Sequence, residues 1–210
     1  MRPAERPLPT PREQPSAQPG VAGALTRDQV LDALAAERPD DALFVSEAPS
    51  LGTWWDRVPL RRPGSYFTSA AGGLGFGMPG AVGAALAAPE RQVVALSGDG
   101  SAHYSITALW TAAQQQVRTV FVIIRNGVYG ALEEFGQYLH TTGLPGTTLP
   151  GTTLPGIDFV PLAAGYGVAG TRVSTPETLK AALRASFESP APSLIEVEVH
   201  PSHSGMFIER

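Results

Sequence analysis

The sequence predicts an α/β fold: a doubly wound, mostly parallel sheet with helices on both faces. Three observations predict it. Short apolar runs of strand length recur along the chain, stretches of helical length separate them, and a Gly-Asp-Gly turn stands where one such run gives way to a helical stretch (Gly98 to Gly100). Strands alternating with helices imply right-handed crossovers, which place successive strands parallel and cover both faces of the sheet.

The elements follow in order. Leu31, Leu34 and Ala35 recur at helical spacing behind a Thr or Asp cap, Thr26 or Asp28, and predict a first helix. Ala42 to Ser46 is a continuous apolar run bounded by polar residues, the pattern of a strand buried on both faces. Further strands are expected at Val93 to Leu96, Val120 to Ile124, Val168 to Val173 and Leu194 to Val199. The helical stretches are Leu74 to Ala88, Ser101 to Gln116, Gly130 to Leu139, Phe159 to Gly165 and Pro176 to Phe187. Residues 26–200 therefore read as one domain. Residues 1–25, with six prolines in the first 20, read as a tail or linker that cannot bury enough apolar area to order itself, and residues 201–210 as a carboxyl-terminal tail.

Composition narrows the chemistry. The 210 residues are 43% hydrophobic and 16% charged, with a formal net charge of −4, so no basic face suggests nucleic acid. With no cysteine, thiolate metal sites are excluded, and a bound metal must be a hard ion on oxygen or a His-ligated one. No apolar run reaches the ~20 residues needed to cross a bilayer, and the first 20 residues lack the apolar centre of a signal peptide, so a soluble cytoplasmic protein is expected. Of the 15 Lys and Arg, only Lys180 is a lysine, which argues against any phosphate-binding loop that depends on one.

One internal repeat stands out. Leu144-Pro145-Gly146-Thr147-Thr148 recurs as residues 149–153 and starts again at Leu154-Pro155-Gly156. It is too short for a solenoid; it reads either as a surface loop lengthened by copying or as a lid over a site.

The most informative stretch runs from Ser97-Gly98-Asp99-Gly100-Ser101 to Arg125-Asn126-Gly127-Val128-Tyr129-Gly130. If Val93 to Gly98 is a strand, a helix of about 13 residues descends ~20 Å and a strand of about seven climbs back ~23 Å. Asp99 and Asn126 then meet at the carboxyl ends of neighbouring strands, where open α/β sheets bind ligands. Gly98 and Gly100 permit a tight turn and close backbone approach, and the amides that start the next helix face an anion. A carboxylate, an amide oxygen and a nearby carbonyl make a half-shell for Mg²⁺, completed by phosphate oxygens and water. Taken singly, Asp99 is better explained as a helix cap and Asn126-Gly127 as a turn; the joint pattern changes that.

These residues carry a resemblance. Gly-Asp-Gly, about 25 residues, then Asn resembles the signature of the diphosphate-binding domain of thiamine-diphosphate-dependent enzymes. Within that family the chain is most similar to benzoylformate decarboxylase, in Gly98 to Ala113, Asn126 to Leu132, Pro155 to Phe159, Pro63 to Tyr66, Ala70 to Phe76 and Pro89 to Val93. The resemblance implies thiamine diphosphate and Mg²⁺ as cofactors, with Asp99, Asn126 and the Val128 carbonyl as metal ligands. It implies diphosphate contacts at Gly98, Gly100, Ser101 and Tyr129, and more loosely at Ser50 in the segment Glu47 to Ser50, where Pro49 lacks a backbone donor. Leu74 matches the apolar residue over which the cofactor folds, and is otherwise an ordinary core leucine. Arg125 departs from the pattern, which usually has a first Asn there.

Leu132 and Phe135 bear on the substrate. A catalytic Glu stands near the Leu132 position in pyruvate decarboxylases, and an apolar residue there implies an apolar pocket lined by Leu132 and Phe135. Glu133 and Glu134 come one and two places later, each step turning the side chain by about 100° on a helix, and are expected on a solvated face. His103, His140, His200 and His203 fall in a first helical turn, in loops or in the tail, and none is assigned a catalytic role.

Catalysis by this family needs a second domain whose glutamate contacts the aminopyrimidine ring. No stretch before Ala42 resembles it. The resemblance thus implies the diphosphate- and Mg²⁺-anchoring subunit of a split 2-oxo acid decarboxylase or carboligase, in a hetero-oligomer with a separate pyrimidine-binding-domain subunit that also carries the catalytic groups. An acetolactate-synthase-like half, against which the apolar Leu132 and the lack of a flavin-binding segment weigh, and a degenerate interaction or regulatory subunit are the alternatives. Trp54, Trp55 and Phe67 are expected at an interface or in the core.

Overall fold

The computed structural model describes residues 23–52, 54–139 and 149–200, with Trp55 described in its backbone alone. Residues 1–22 of the tail expected at 1–25, the tail expected at 201–210, the first pentapeptide copy at 144–148, His140, His203 and the Trp55 side chain lie outside the described residues.

Six strands form one sheet in the order β2-β1-β3-β4-β6-β5, every pair parallel. They are β1 (Leu43–Glu47), β2 (Tyr66–Thr68), β3 (Val93–Gly98), β4 (Thr119–Arg125), β5 (Ala169–Val173) and β6 (Ser193–Glu198). Among the described residues, seven α-helices accompany them: α1 (Arg27–Glu37), α2 (Gly77–Ala87), α3 (Asp99–Ser105), α4 (Ala108–Gln115), α5 (Gly130–Tyr138), α6 (Phe159–Gly165) and α7 (Pro176–Glu188).

The central strands alternate their buried residues between two cores, as a sheet covered on both faces must. Phe44, Val94, Leu96, Val122 and Ile195 face α1 and α7, meeting Leu31, Leu34, Leu179 and Leu183. Val45, Ala95, Phe121, Ile123 and Leu194 face the other way, against Met78, Val82, Leu109, Ala112 and Phe159. Trp54 belongs to the first core, buried against Phe44 with ring centroids 5.1 Å apart, whereas Phe67 on the edge strand β2 is exposed.

Local chemistry fixes the helix starts. Thr26 and Gln29 form a capping box at α1, and Thr175 and Thr178 another at α7, where Pro176 occupies the first helical position. Leu25, placed in the tail by sequence, instead belongs to the fold: it is buried and bridges in parallel to Val199.

Two expectations change. The strand β2 has only three residues, too few for an apolar run to announce it; it is held as an edge by Phe44 donating its amide to the Ser65 carbonyl and by Arg91, which donates to Ser65 Oγ at 2.7 Å. The single helix expected at Ser101 to Gln116 is two helices. The amides of Leu109 and Trp110 donate three residues back, to Ile106 and Thr107, and this tighter turn breaks the ladder at two adjacent β-branched residues. Among the described residues no helix is long and apolar enough to cross a membrane.

Candidate functional site

The strand order reverses direction between β1 and β3, and an open α/β sheet splays its loops apart at such a point. Ser97 and Gly98 on β3 pair with Ile123 and Ile124 on β4, so Asp99 and Asn126 leave the sheet at the same level from adjacent strands. The Asp99 carboxylate spans the gap. Its Oδ2 accepts from the Gly127 amide at 2.7 Å, and its Oδ1 from the Gly100 amide at 2.9 Å. Asn126 Oδ1 accepts from the Val128 amide at 3.0 Å, turning the loop back on itself, and Gly127 takes a positive φ of 73° there.

Asp99 is 4% exposed, and burial lifts its carboxyl from 3.8 to about 6, against the opposing pull of the Gly127 and Gly100 amides and the Arg125 guanidinium. Such a group gains most from a cation placed on it. Among the described residues no three His, Cys, Asp or Glu side chains cluster to hold a metal, so a metal here would depend on one carboxylate and on neutral oxygens, with the ligand supplying the rest. That donor set fits Mg²⁺, which binds through few protein carboxylates and shares its shell with phosphate and water.

A cavity of about 440 Å³ opens over this junction. Ser50, Leu74, Gly98, Asp99, Gly100, Ser101, Asn126, Val128, Tyr129 and Leu132 all line it. Phe135 does not: it stands one turn further along α5, exposed. Leu74, which could have been a core residue, is instead exposed on the cavity wall. At Gly100 the approach is close, since a Cβ there would lie 2.5 Å from Tyr129 Cε1. Burial raises the Tyr129 phenol above its ordinary value, with Tyr104 as neighbour and hydrogen-bond partner.

Tyr104, Gly151 and Glu196 escaped the sequence reading, and Glu47 takes another role than the one expected. Tyr104 and Gly151 line the cavity. Glu47, read with the diphosphate segment, turns away from it: Oε1 and Oε2 accept from the amides of Phe76 and Gly77, each at 3.0 Å, so this buried carboxylate caps α2 and sets the loop bearing Leu74. Glu196 on β6, fully buried, does the same for α6 by accepting from the Phe159 amide, while Arg172 at 3.0 Å and Arg125 at 3.5 Å balance its charge. Arg125 also pairs with Glu198 at 2.7 Å, which ties the end of β4 to β6 immediately before Asn126.

The solvated face expected for Glu133 and Glu134 is corrected. Glu134 is buried, and Glu133 Oε1 lies 2.9 Å from Thr152 Oγ1 of the second pentapeptide copy, which folds back onto the start of α5. His103 is exposed and stands off the cavity lining.

A parallel α/β domain that gathers a buried Asp, an Asn turn and close-approaching glycines at its switch point is a domain of the diphosphate-binding class. Residues 49–197 match the family described as thiamine pyrophosphate enzyme, C-terminal TPP binding domain, and the chain belongs to that family. It is 48% identical over 198 residues to benzoylformate decarboxylase of Pseudomonas aeruginosa, covering 94% of this chain and 37% of that protein. It is 31% identical over 190 residues to the acetolactate synthase isozyme 1 large subunit of Escherichia coli, covering 90% and 33%. Among solved structures, the thiamine diphosphate-dependent 4-hydroxybenzoylformate decarboxylase of Rhodococcus jostii RHA1 superposes with a TM-score of 0.81 at 44% identity, over 95% of this chain and 37% of that one. The chain thus spans little more than a third of these relatives. The cofactor of the family is thiamine diphosphate, with Mg²⁺ as its usual metal.

Proposed function

We propose that this chain is the diphosphate- and Mg²⁺-anchoring subunit of a thiamine-diphosphate-dependent 2-oxo acid decarboxylase or carboligase of the benzoylformate decarboxylase type. The observation that carries the reading is the cavity at the ends of β1, β3 and β4, where a buried Asp99 stands beside Asn126 with no lysine near. In this reading Asp99 Oδ2, Asn126 Oδ1 and the Val128 carbonyl hold Mg²⁺, and Gly98, Gly100, Ser101, Tyr129 and Ser50 contact the diphosphate.

The cofactor, when bound, supplies the electron sink that allows a 2-oxo acid to lose CO₂. The chain's own residues bind and orient. Gly100 lets the diphosphate approach the backbone, Leu74 supports the bend of the cofactor, and Leu132, exposed on the cavity wall, presents an apolar surface to an aryl substituent. Leu132 offers no proton. The acid-base groups and the glutamate facing the pyrimidine ring come, in this proposal, from a pyrimidine-binding domain on a separate subunit of a hetero-oligomer.

Identity supports benzoylformate decarboxylase chemistry over acetolactate synthesis, at 48% against 38% and 31%. Titration with thiamine diphosphate and Mg²⁺, and CO₂ release from benzoylformate, measured with and without a partner chain carrying the pyrimidine-binding domain, test the proposal. Activity is expected only with the partner. Tight binding and full turnover by this chain alone contradict the split arrangement, and inactivity with every partner points to a non-catalytic interaction subunit.

A further inference from the structure

We infer that the second copy of the repeated pentapeptide is part of the cofactor site, with Thr152 as a positioning residue that sets the Asn126–Tyr129 loop. The inference rests on the proposed cofactor reading.

Thr152 to Leu154 run antiparallel to Gly127 to Tyr129. The Tyr129 amide donates to the Thr152 carbonyl at 2.7 Å and the Leu154 amide to the Gly127 carbonyl at 2.8 Å, with Val128 opposite Thr153 between them. In a pair flanked by bonds in this way, the central residue turns its own N–H and C=O away from the partner strand. The Val128 amide accordingly meets Asn126 Oδ1, and its carbonyl is left on that same side, where the proposed metal binds. The pairing is what directs this carbonyl.

Thr152 anchors the pairing. It is 3% exposed, and its hydroxyl lies 2.9 Å from Glu133 Oε1 and 2.7 Å from the Leu149 carbonyl, which compete for its single proton. One side chain thereby joins the repeat to α5, the helix that begins where the loop ends. The neighbours reach the site as well: Gly151 lines the cavity, and Leu154 Cδ1 would stand 3.2 Å from a Cβ at Gly100. The second copy thus packs against the loop that carries Asn126 to Tyr129.

Thr147 holds the matching place in the first copy, which supplies an internal control. In the full chain, Thr152→Val keeps the β-branched shape and removes the hydroxyl. It is expected to speed amide exchange at Tyr129 and Leu154 in the ligand-free protein, and to weaken Mg²⁺ binding at saturating thiamine diphosphate by about tenfold, the scale of one hydrogen bond to a charged group. Thr152→Ser should restore both, and Thr147→Val should match wild type. Exchange and Mg²⁺ affinity unchanged in Thr152→Val overturn the inference, as does an equal loss in Thr147→Val or a failure of Thr152→Ser to rescue. A wild type that binds no Mg²⁺ and thiamine diphosphate even with a partner carrying the pyrimidine-binding domain overturns the cofactor reading itself, and the exchange rates then decide separately whether Thr152 holds the loop.

Discussion

Asp99 on the turn after β3 accepts the Gly127 amide proton at 2.7 Å across the gap to the loop after β4, so one carboxylate oxygen fixes the spacing of two strand ends. Its other oxygen takes the Gly100 amide. The carboxylate is thus both a structural tie and, among the described residues that line the cavity, the only acidic side chain.

That double role gives the ligand-free protein a pH signature. The folded Asp99 titrates at about 6 against 3.8 for the free side chain, so the folded state holds its proton more tightly. Its contribution to stability is full below pH about 4 and lost as pH rises through about 6, on the order of 3 kcal/mol. Urea unfolding of wild type and Asp99→Asn between pH 4 and 7 should show the difference between them shifting in favour of Asn across this window. A constant difference would contradict it.

Gly100→Ala should disturb the site from within. The added methyl would stand 2.5 Å from Tyr129 Cε1, so the ring must leave its place. A loss of about 1–3 kcal/mol in thermal unfolding is expected, the usual cost of overpacking. Combining it with Tyr129→Ala should relieve most of that loss, and strict additivity in the double-mutant cycle would contradict the contact.

Glu47→Ala removes the acceptor of two helix-start amides, Phe76 and Gly77. Each buried amide left unpaired costs about 1–3 kcal/mol. The same change should loosen the loop carrying Leu74, read as faster amide exchange at Phe76 and Gly77. Unaltered exchange there would show that Glu47 does not set the loop.

Much of this was legible in sequence because the signals are local. Val93 to Gly98 and Thr119 to Arg125 are apolar runs, and the strand and helix lengths alone bring Asp99 beside Asn126. What escaped depends on tertiary contacts. Glu47 and Glu196 look like ordinary polar strand ends, and only the fold turns each into a buried helix cap. Glu134 is buried, and Glu133 meets Thr152 19 residues later, relations that no helical periodicity records. The Ile106-Thr107 break and the three-residue β2 are likewise shorter than any pattern window. Tyr104 lines the cavity from within α3, one turn beyond Gly100.

The central claim is that Asp99 and Asn126 anchor Mg²⁺ and the cofactor diphosphate. Calorimetric titration of thiamine diphosphate into the protein assembled with a partner carrying the pyrimidine-binding domain, with Mg²⁺ and then with EDTA, tests it most directly in wild type, Asp99→Asn and Asp99→Ala. The account predicts binding that requires Mg²⁺ and falls by at least about a hundredfold in both variants, as loss of a charged ligand implies. Binding that persists in EDTA, or that Asp99→Asn leaves intact, would contradict it.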